Sequence, residues 1–175
     1  FFQAKNNYPF TLQNGTATTT AKRLHSLMNS FTAEAALTQG LPGGGSLQAK
    51  VYAYTNDRQL PGPIYYYNTD NAETLKEQNL GLQTILRGAR WGLKLFAALK
   101  LSHDLSDYAD RGGQYANGIK RERYRTQSAY FSTGAEKQWG AVAVAYSGDA
   151  DLSVLRSREP LFQHVKRLSL WHNLS

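Results

Sequence analysis

Apolar and polar residues alternate along several segments, and a period of two is typical of β-strands that have one apolar face. In residues 47–55 the odd positions from 47 to 53 are apolar, whereas the even positions are glutamine, lysine and tyrosine. In residues 91–102 every odd position is apolar, and both lysines are even. The alternation predicts strands at residues 47–55, 79–88, 91–102, 127–137, 139–148 and 164–175.

Residues 22–37 fit two kinds of element. Leu24, Leu27, Met28 and Phe31 lie at helical spacing, and the following Thr-Ala-Glu-Ala-Ala-Leu run has helix propensity. The glycine-rich turn cluster at 40–46 leads directly into the strand at 47, which favours a hairpin and therefore a strand at 22–37.

Short and long connections alternate along the chain. Tight turns are predicted within 40–46, 87–92 and 136–140, and long polar loops at roughly 56–77, 104–123 and 150–164. Antiparallel strands joined in this way carry all short turns at one end and all long loops at the other, the layout of membrane β-barrels. We therefore predict an all-β fold: an antiparallel up-and-down transmembrane β-barrel segment of about seven strands, with short periplasmic turns and long extracellular loops.

Aromatic residues lie near the predicted strand ends. Trp91 and Trp139 stand beside short turns, and Trp91 continues the odd-numbered apolar face of its strand. Aromatic rings favour the membrane–water interface, so two aromatic bands are expected if the strands cross a membrane. In a soluble sheet the same residues would be ordinary core and hairpin aromatics. The residues assigned to the long-loop ends are Tyr52, Tyr54, Tyr108, Tyr124 and Tyr146.

Charge and cysteine content exclude few classes of protein. The 175-residue chain has a net charge of +7 and no cysteine, so it has neither disulfides nor thiolate metal sites. The positive charge suits nucleic acid, an anionic lipid surface or simple solubility. No segment approaches the roughly 20 apolar residues of a membrane helix, and a helical membrane protein is not expected. The first residues do not resemble a signal peptide.

Catalytic chemistry finds little support in the residue pattern. The four histidines lack metal-ligand spacing, and neither a nucleophile elbow nor a phosphate-binding P-loop is present. We therefore predict no enzymatic activity, no cofactor and no resident metal. The oxygen-rich segment 68–73 leaves open whether a calcium ion binds there, although it lacks the EF-hand pattern.

The order and spacing of several segments resemble one known family. Residues 6–16, 22–30 and 43–64, and above all Asn-Asp-Arg-Gln-Leu-Pro-Gly at 56–62, are similar to the early barrel region of TonB-dependent outer-membrane receptors, particularly cobalamin receptors of Bacteroidetes. In that family a glycine is usual where this chain has Gln59. The similarity extends through 115–140 to the end, and only the Asp-Arg-x-Leu-Pro-Gly part is motif-like.

The resemblance implies that residues 1–175 are part of a receptor barrel in the outer membrane, with the remaining strands and the N-terminal plug outside this chain. It further implies coupling to TonB through that absent plug, a possible surface lipoprotein partner, and uptake of a scarce bulky nutrient. Cobalamin is the first choice, followed by a siderophore or haem. The alternative is a soluble basic β-sheet module that binds nucleic acid or carbohydrate.

Two groups of residues are candidate contact sites. Arg58 and Tyr65, Tyr66 and Tyr67 belong to a proline- and tyrosine-rich stretch that is expected to be stiff and to offer rigid amphipathic surface to a substrate or protein partner.

The second group is the basic run at 119–125. If the run is extended, Arg121, Arg123 and Arg125 share a face with Phe131 and are expected to contact lipopolysaccharide phosphates. Nucleic-acid binding, with tyrosines stacking on bases, is the competing interpretation, and the partner prediction does not include nucleic acid.

Overall fold

Long antiparallel strands joined by tight turns make up the chain. The computed structural model describes residues 1–5, 7–61, 72–110, 120–158 and 164–175. The strands are β1 (Phe2–Lys5), β2 (Pro9–Asn14), β3 (Ala17–Lys22), β4 (Leu27–Leu41), β5 (Gly45–Pro61), β6 (Ala72–Arg90), β7 (Leu93–Asp110), β8 (Lys120–Trp139), β9 (Val142–Ser157) and β10 (His164–Leu174).

The strands form one large sheet and one separate hairpin. The sheet has the order β1-β4-β5-β6-β7-β8-β9-β10, so every strand from β4 onward pairs with the next strand in the chain, always antiparallel. The prediction of an all-β, antiparallel, up-and-down fold is confirmed. The described strands form an open sheet, in which β1 and β10 are not paired with each other.

The expected number of about seven strands is wrong, because the first 22 residues contribute three more. Gly15 has a positive φ of 57° and lies in the two-residue turn that closes the β2–β3 hairpin. Residues 17–22 therefore pair with β2, and β4 begins only at Leu27. The strand favoured over a helix at residues 22–37 is confirmed from Leu27 onward, since β4 pairs with β5 along fourteen positions.

Three tight turns join the long strands at one end of the sheet, as predicted. They lie at residues 42–44, 91–92 and 140–141. Trp91 and Gly92 both have positive φ, 55° and 73°, which matches the two-residue hairpin turn that fits the twist of the strands. Trp91 therefore belongs to the turn, and the prediction that it continues the apolar face of β7 is wrong.

The strands extend much further from these turns than predicted. Strands β5 to β9 contain 16 to 20 residues each, so large parts of the predicted loops at 56–77, 104–123 and 150–164 are strand. Polar pairs hold these extensions together, for example Lys76 Nζ to Asp57 Oδ2 at 3.0 Å and the Tyr108 hydroxyl to Glu73 Oε2 at 2.8 Å. Both faces are polar there, which removes the period-two signal.

The sheet is a single layer. Among the described residues no hydrophobic side chain is buried, and the buried side chains are the polar ones of Asn56, Asp107 and Ser132. None of the described segments is a helix with the length and hydropathy needed to cross a membrane. The sheet thus presents both faces outward, and its function depends on what each face carries.

Candidate functional site: the two faces of the sheet

One face of the sheet, here called the apolar face, carries most of the exposed large hydrophobic side chains. The strand register aligns Leu86, Leu95 and Leu152 on this face with their neighbours from β4 to β10. Leu168 and Leu170 on β10 are 65% and 60% exposed. The strand residues of this face that are large, hydrophobic and exposed are Phe31, Leu37, Val51, Leu80, Leu86, Leu95, Leu101, Phe131, Trp139, Val142, Val144, Tyr146, Leu152, Leu168, Leu170 and Leu174.

The hydrophobic part of the apolar face has a defined height. On β6 it extends from Gly88, near the tight turns, to Leu80, and Gln78 and Lys76 follow beyond it. On β8 it extends to Ala129, beyond which the face becomes basic. From 80 to 88 it covers nine residues, close to the roughly 9–11 residues with which a tilted strand crosses a bilayer.

The opposite face, here called the polar face, is lined by charged, amide and hydroxyl side chains. Lys50 Nζ lies 2.8 Å from Glu34 Oε1, and Lys94 Nζ lies 2.9 Å from Glu136 Oε1. Lys100 stands on the same face, directly across from Gln83. Lys50, Lys94 and Lys100 therefore lie away from the apolar face, as the alternation predicted.

Hydrogen bonds cross this polar face from strand to strand. The Tyr130 hydroxyl donates to Asp149 Oδ1 at 2.5 Å, and the Asn79 amide donates to Asp104 Oδ1. The Ser102 and Ser128 hydroxyl oxygens lie 2.7 Å apart. Because these bonds link β6, β7, β8 and β9, they tie the strands together on the face that carries few apolar side chains.

Two aromatic rings on the polar face lie over glycines of a neighbouring strand. A Cβ atom at Gly81 would lie 2.0 Å from Cε1 of Tyr52, and one at Gly134 would lie 2.2 Å from Cε1 of Phe96. Each ring is directly opposite its glycine in the register. The rings cover backbone that would otherwise be bare, which is a known means of fixing register at glycines.

Two of the three tryptophans lie at the end of the sheet that carries the tight turns. Trp91 is 77% exposed, with the Arg90 guanidinium 4.2 Å from its ring centroid. Trp139 is 54% exposed, with Lys137 Nζ 5.0 Å from its ring. A ring beside a cation at this level suits a membrane–water interface.

The second aromatic band expected at the other end of the strands is not formed by the five tyrosines. Tyr52, Tyr54, Tyr108 and Tyr124 lie on the polar face. Tyr146 lies on the apolar face but near the tight turns, directly opposite Ala135. Successive side chains of a strand point to opposite faces, so the position of a tyrosine along the strand does not decide which face it is on. The predicted band was based on that position alone.

The motif at 56–62 that carries the family resemblance forms the distal end of β5. Asn56 is 3% exposed and donates its amide to Glu77 Oε2 at 2.9 Å. Arg58 Nη2 lies 3.8 Å from the same oxygen, and both residues are on the polar face. Within the motif, Asn56 and Arg58 therefore anchor β5 to β6. Contact of Arg58 with a substrate or protein partner stays a prediction.

The arginines of the basic run lie on the apolar face, beyond its hydrophobic part. Arg121 donates from Nε and Nη2 to the two oxygens of Asp107 at 2.9 and 2.8 Å. Arg123 Nε lies 3.7 Å from the same carboxylate. Hydrogen bonding to Arg121 lowers the pKa of Asp107, which is 8% exposed. Arg125 stands one row nearer the hydrophobic part, opposite Leu105.

Two further arginines join this group and were missed by the sequence prediction. Arg125 is directly opposite Arg156 on β9, and Arg123, Arg125, Arg156, Ser157 and Arg158 line a groove of about 150 Å³. A tight turn centred on 140–141 is the signal that could have placed Arg156 beside Arg125, because it fixes the pairing of β8 with β9.

Other predicted site residues fall in segments that the structure leaves undescribed. Tyr65, Tyr66 and Tyr67 lie outside the described residues, and so do residues 68–71 of the candidate calcium segment. Glu73, the last residue of that segment, is part of β6 and accepts the hydrogen bond from Tyr108. In the described part of the chain, no group of three or more histidine, aspartate or glutamate residues is arranged to hold a metal ion.

Comparison with known proteins gives no family assignment. No protein-family model matches the chain, and no curated protein matches it.

Proposed function

We propose that the chain is part of the β-barrel of a TonB-dependent outer-membrane transporter and takes part in the uptake of a scarce bulky nutrient. The observation that carries the proposal is the continuous exposed apolar face. Its large side chains extend across seven neighbouring strands, with exposures that reach 73% at Leu174. Water-soluble monomers rarely expose apolar patches larger than a few hundred Å², whereas hydrocarbon is the natural surrounding of such a face.

The polar face supports the same proposal. A barrel strand alternates lipid-facing apolar residues with polar residues that face an enclosed, hydrated interior. A lysine facing lipid near the middle of the bilayer would cost about 2–4 kcal/mol, and Lys50, Lys94 and Lys100 all lie on the other face. Closure of the strands into a barrel, and the position of the tight turns on the periplasmic side, are parts of the proposal.

The nutrient is proposed from the family resemblance of the 56–62 motif, with cobalamin first and a siderophore or haem next. Arg58 and Tyr65, Tyr66 and Tyr67 are proposed to contact the nutrient or a surface lipoprotein, and energy is proposed to come from TonB through a plug outside this chain. Replacing the three tyrosines together by alanine tests the contact: normal assembly with unchanged uptake would exclude it.

Membrane fractionation followed by an uptake assay tests the function as a whole. The protein should be recovered with the outer membrane, should need detergent to stay monodisperse, and its loss should abolish growth on limiting cobalamin. Growth defects on a siderophore or haem instead would keep the transporter and change the nutrient.

A water-soluble, monodisperse protein would contradict the proposal and favour the alternative, a basic β-sheet module that binds nucleic acid or carbohydrate.

A further inference from the structure

The arginines on the apolar face are unevenly balanced by carboxylates. On β5 to β8 one register row alternates in charge, because Asp57, Lys76, Asp107 and Arg123 stand side by side. The next row toward the hydrophobic part contains Arg125 and Arg156, followed by His164 on β10. No described residue of the apolar face on β8, β9 or β10 is acidic.

This arrangement is unfavourable unless an anion is present. Like charges directly opposite each other in a sheet destabilise it, and Arg125 and Arg156 are such a pair. The nearest carboxylate, Asp107, already receives two hydrogen bonds from Arg121 and lies 3.7 Å from Arg123. The groove lined by Arg123, Arg125, Arg156 and Arg158 therefore has positive charge in excess over its described carboxylate neighbours.

The position of the groove selects one kind of anion. Two residues below Arg125 stand Gln127 and its partner Val154, and two residues further come Ala129, Leu152 and Leu168 of the hydrophobic part. The distance between the arginine row and the leucine row is about 13 Å at roughly 3.3 Å per residue. A ligand that carries a phosphate above hydrocarbon chains matches this order, and guanidinium groups bind phosphate oxygens in pairs.

We propose that the four-arginine groove binds the phosphate of a phosphorylated membrane-lipid headgroup, with the lipid chains lying on the apolar face below. The inference rests on the proposed membrane function and refines the expected lipopolysaccharide contact. Arg123 and Arg125 bind the phosphate together with Arg156 and Arg158. Arg121 instead holds Asp107.

The test uses the full chain, as produced from its gene, extracted from the membrane in mild detergent. Bound lipid phosphorus per protein is measured for the wild type, for Arg125→Gln with Arg156→Gln, and for a control, Lys50→Gln with Lys94→Gln. The control removes the same charge from polar-face residues that are paired with Glu34 and Glu136. Wild type and control should retain phosphorylated lipid, and the arginine variant should bind it at least about tenfold more weakly, since two charge-assisted contacts are lost.

Three outcomes separate the possible failures. Equal lipid retention by the arginine variant, with the protein in the membrane, would overturn the inference and leave the transporter proposal intact. Recovery of the protein in the soluble fraction would overturn both. Inorganic phosphate that displaces the lipid at low millimolar concentration would overturn the lipid assignment in favour of a free-anion site. If the glutamine variant does not assemble, Arg125→Lys with Arg156→Lys keeps the charge, and it should retain lipid only partly because lysine lacks the paired donors.

Discussion

Replacing Gly81 by alanine would place a Cβ atom inside the ring of Tyr52. The closest approaches would be 2.0 Å to Cε1, 2.5 Å to Cζ and 2.7 Å to Cδ1. The contact is between a side chain of β5 and the backbone directly opposite on β6, so the ring would have to leave its position. Overpacking of this kind costs about 1–3 kcal/mol.

Gly88 on the same strand is a matched control. A Cβ atom there would meet no heavy atom within 4 Å, and a glycine-to-alanine change without strain stabilises a protein by about 0.4–1 kcal/mol through the unfolded state. Gly81→Ala and Gly88→Ala should therefore differ by roughly 1.5–4 kcal/mol in the free energy of unfolding.

Urea unfolding of the detergent-solubilised protein measures this difference, provided that the m-values of the variants agree. The double variant Tyr52→Ala with Gly81→Ala identifies the cause, because removal of the ring removes the clash. In the Tyr52→Ala background the alanine at 81 should be close to neutral, and the cycle should give a coupling of about 1–3 kcal/mol. Equal stability of the two single variants, or a penalty at 81 that persists without the ring, would refute the reasoning.

Further variants test other parts of the account. In lipid bilayers Leu170→Arg, in the middle row of the hydrophobic part, should destabilise the protein by about 2–4 kcal/mol, measured by chemical unfolding, whereas Ser169→Arg on the polar face should have little effect; similar penalties would contradict the assignment of the faces. Gly92→Ala should cost roughly 1–2 kcal/mol, because an L side chain is forced to positive φ, and an unchanged unfolding midpoint would argue against this turn. The pKa of Asp107 is lowered by its hydrogen bond to Arg121, so its contribution to stability is present above the ordinary aspartate pKa and is lost as the pH falls through the lower folded-state value. Asp107→Asn should remove that part of the acid dependence seen by unfolding at pH 5 to 2, and an identical acid profile would disprove the role of this pair.

The central parts of the strands could be predicted from the sequence because each has one apolar and one polar face. In β7 every odd residue from Leu93 to Leu101 is apolar and both lysines are even, and the structure keeps this division. The distal halves could not be predicted, because polar residues occupy both faces there and no alternation of apolar and polar residues remains. Cross-strand pairs such as Asp57 with Lys76 link the strands there, and no local pattern reveals them.

Residues that are distant in sequence could not be assigned to the arginine groove from the sequence alone. Arg121, Arg123 and Arg125 are close in sequence and were visible as a run, whereas Arg156 reaches the site only through the register of β8 with β9. That register depends on the turn at 140–141, and a shift of one residue would move every side chain of β9 to the other face. The sequence located the turn only to within a few residues, at 136–140.

The assignment of the apolar face to membrane hydrocarbon can be measured directly, because the chain contains no cysteine and single cysteines for spin labels can be introduced without background. Labels at residues 127–133 of β8 in lipid bilayers should show collision rates with oxygen and with a water-soluble nickel reagent that alternate with a period of two and in opposite phase. Oxygen should dominate at 129 and 131, and nickel at 128 and 130. Labels at 129 and 131 that are shielded from both reagents, as in a sheet whose apolar face packs against protein, would contradict the account.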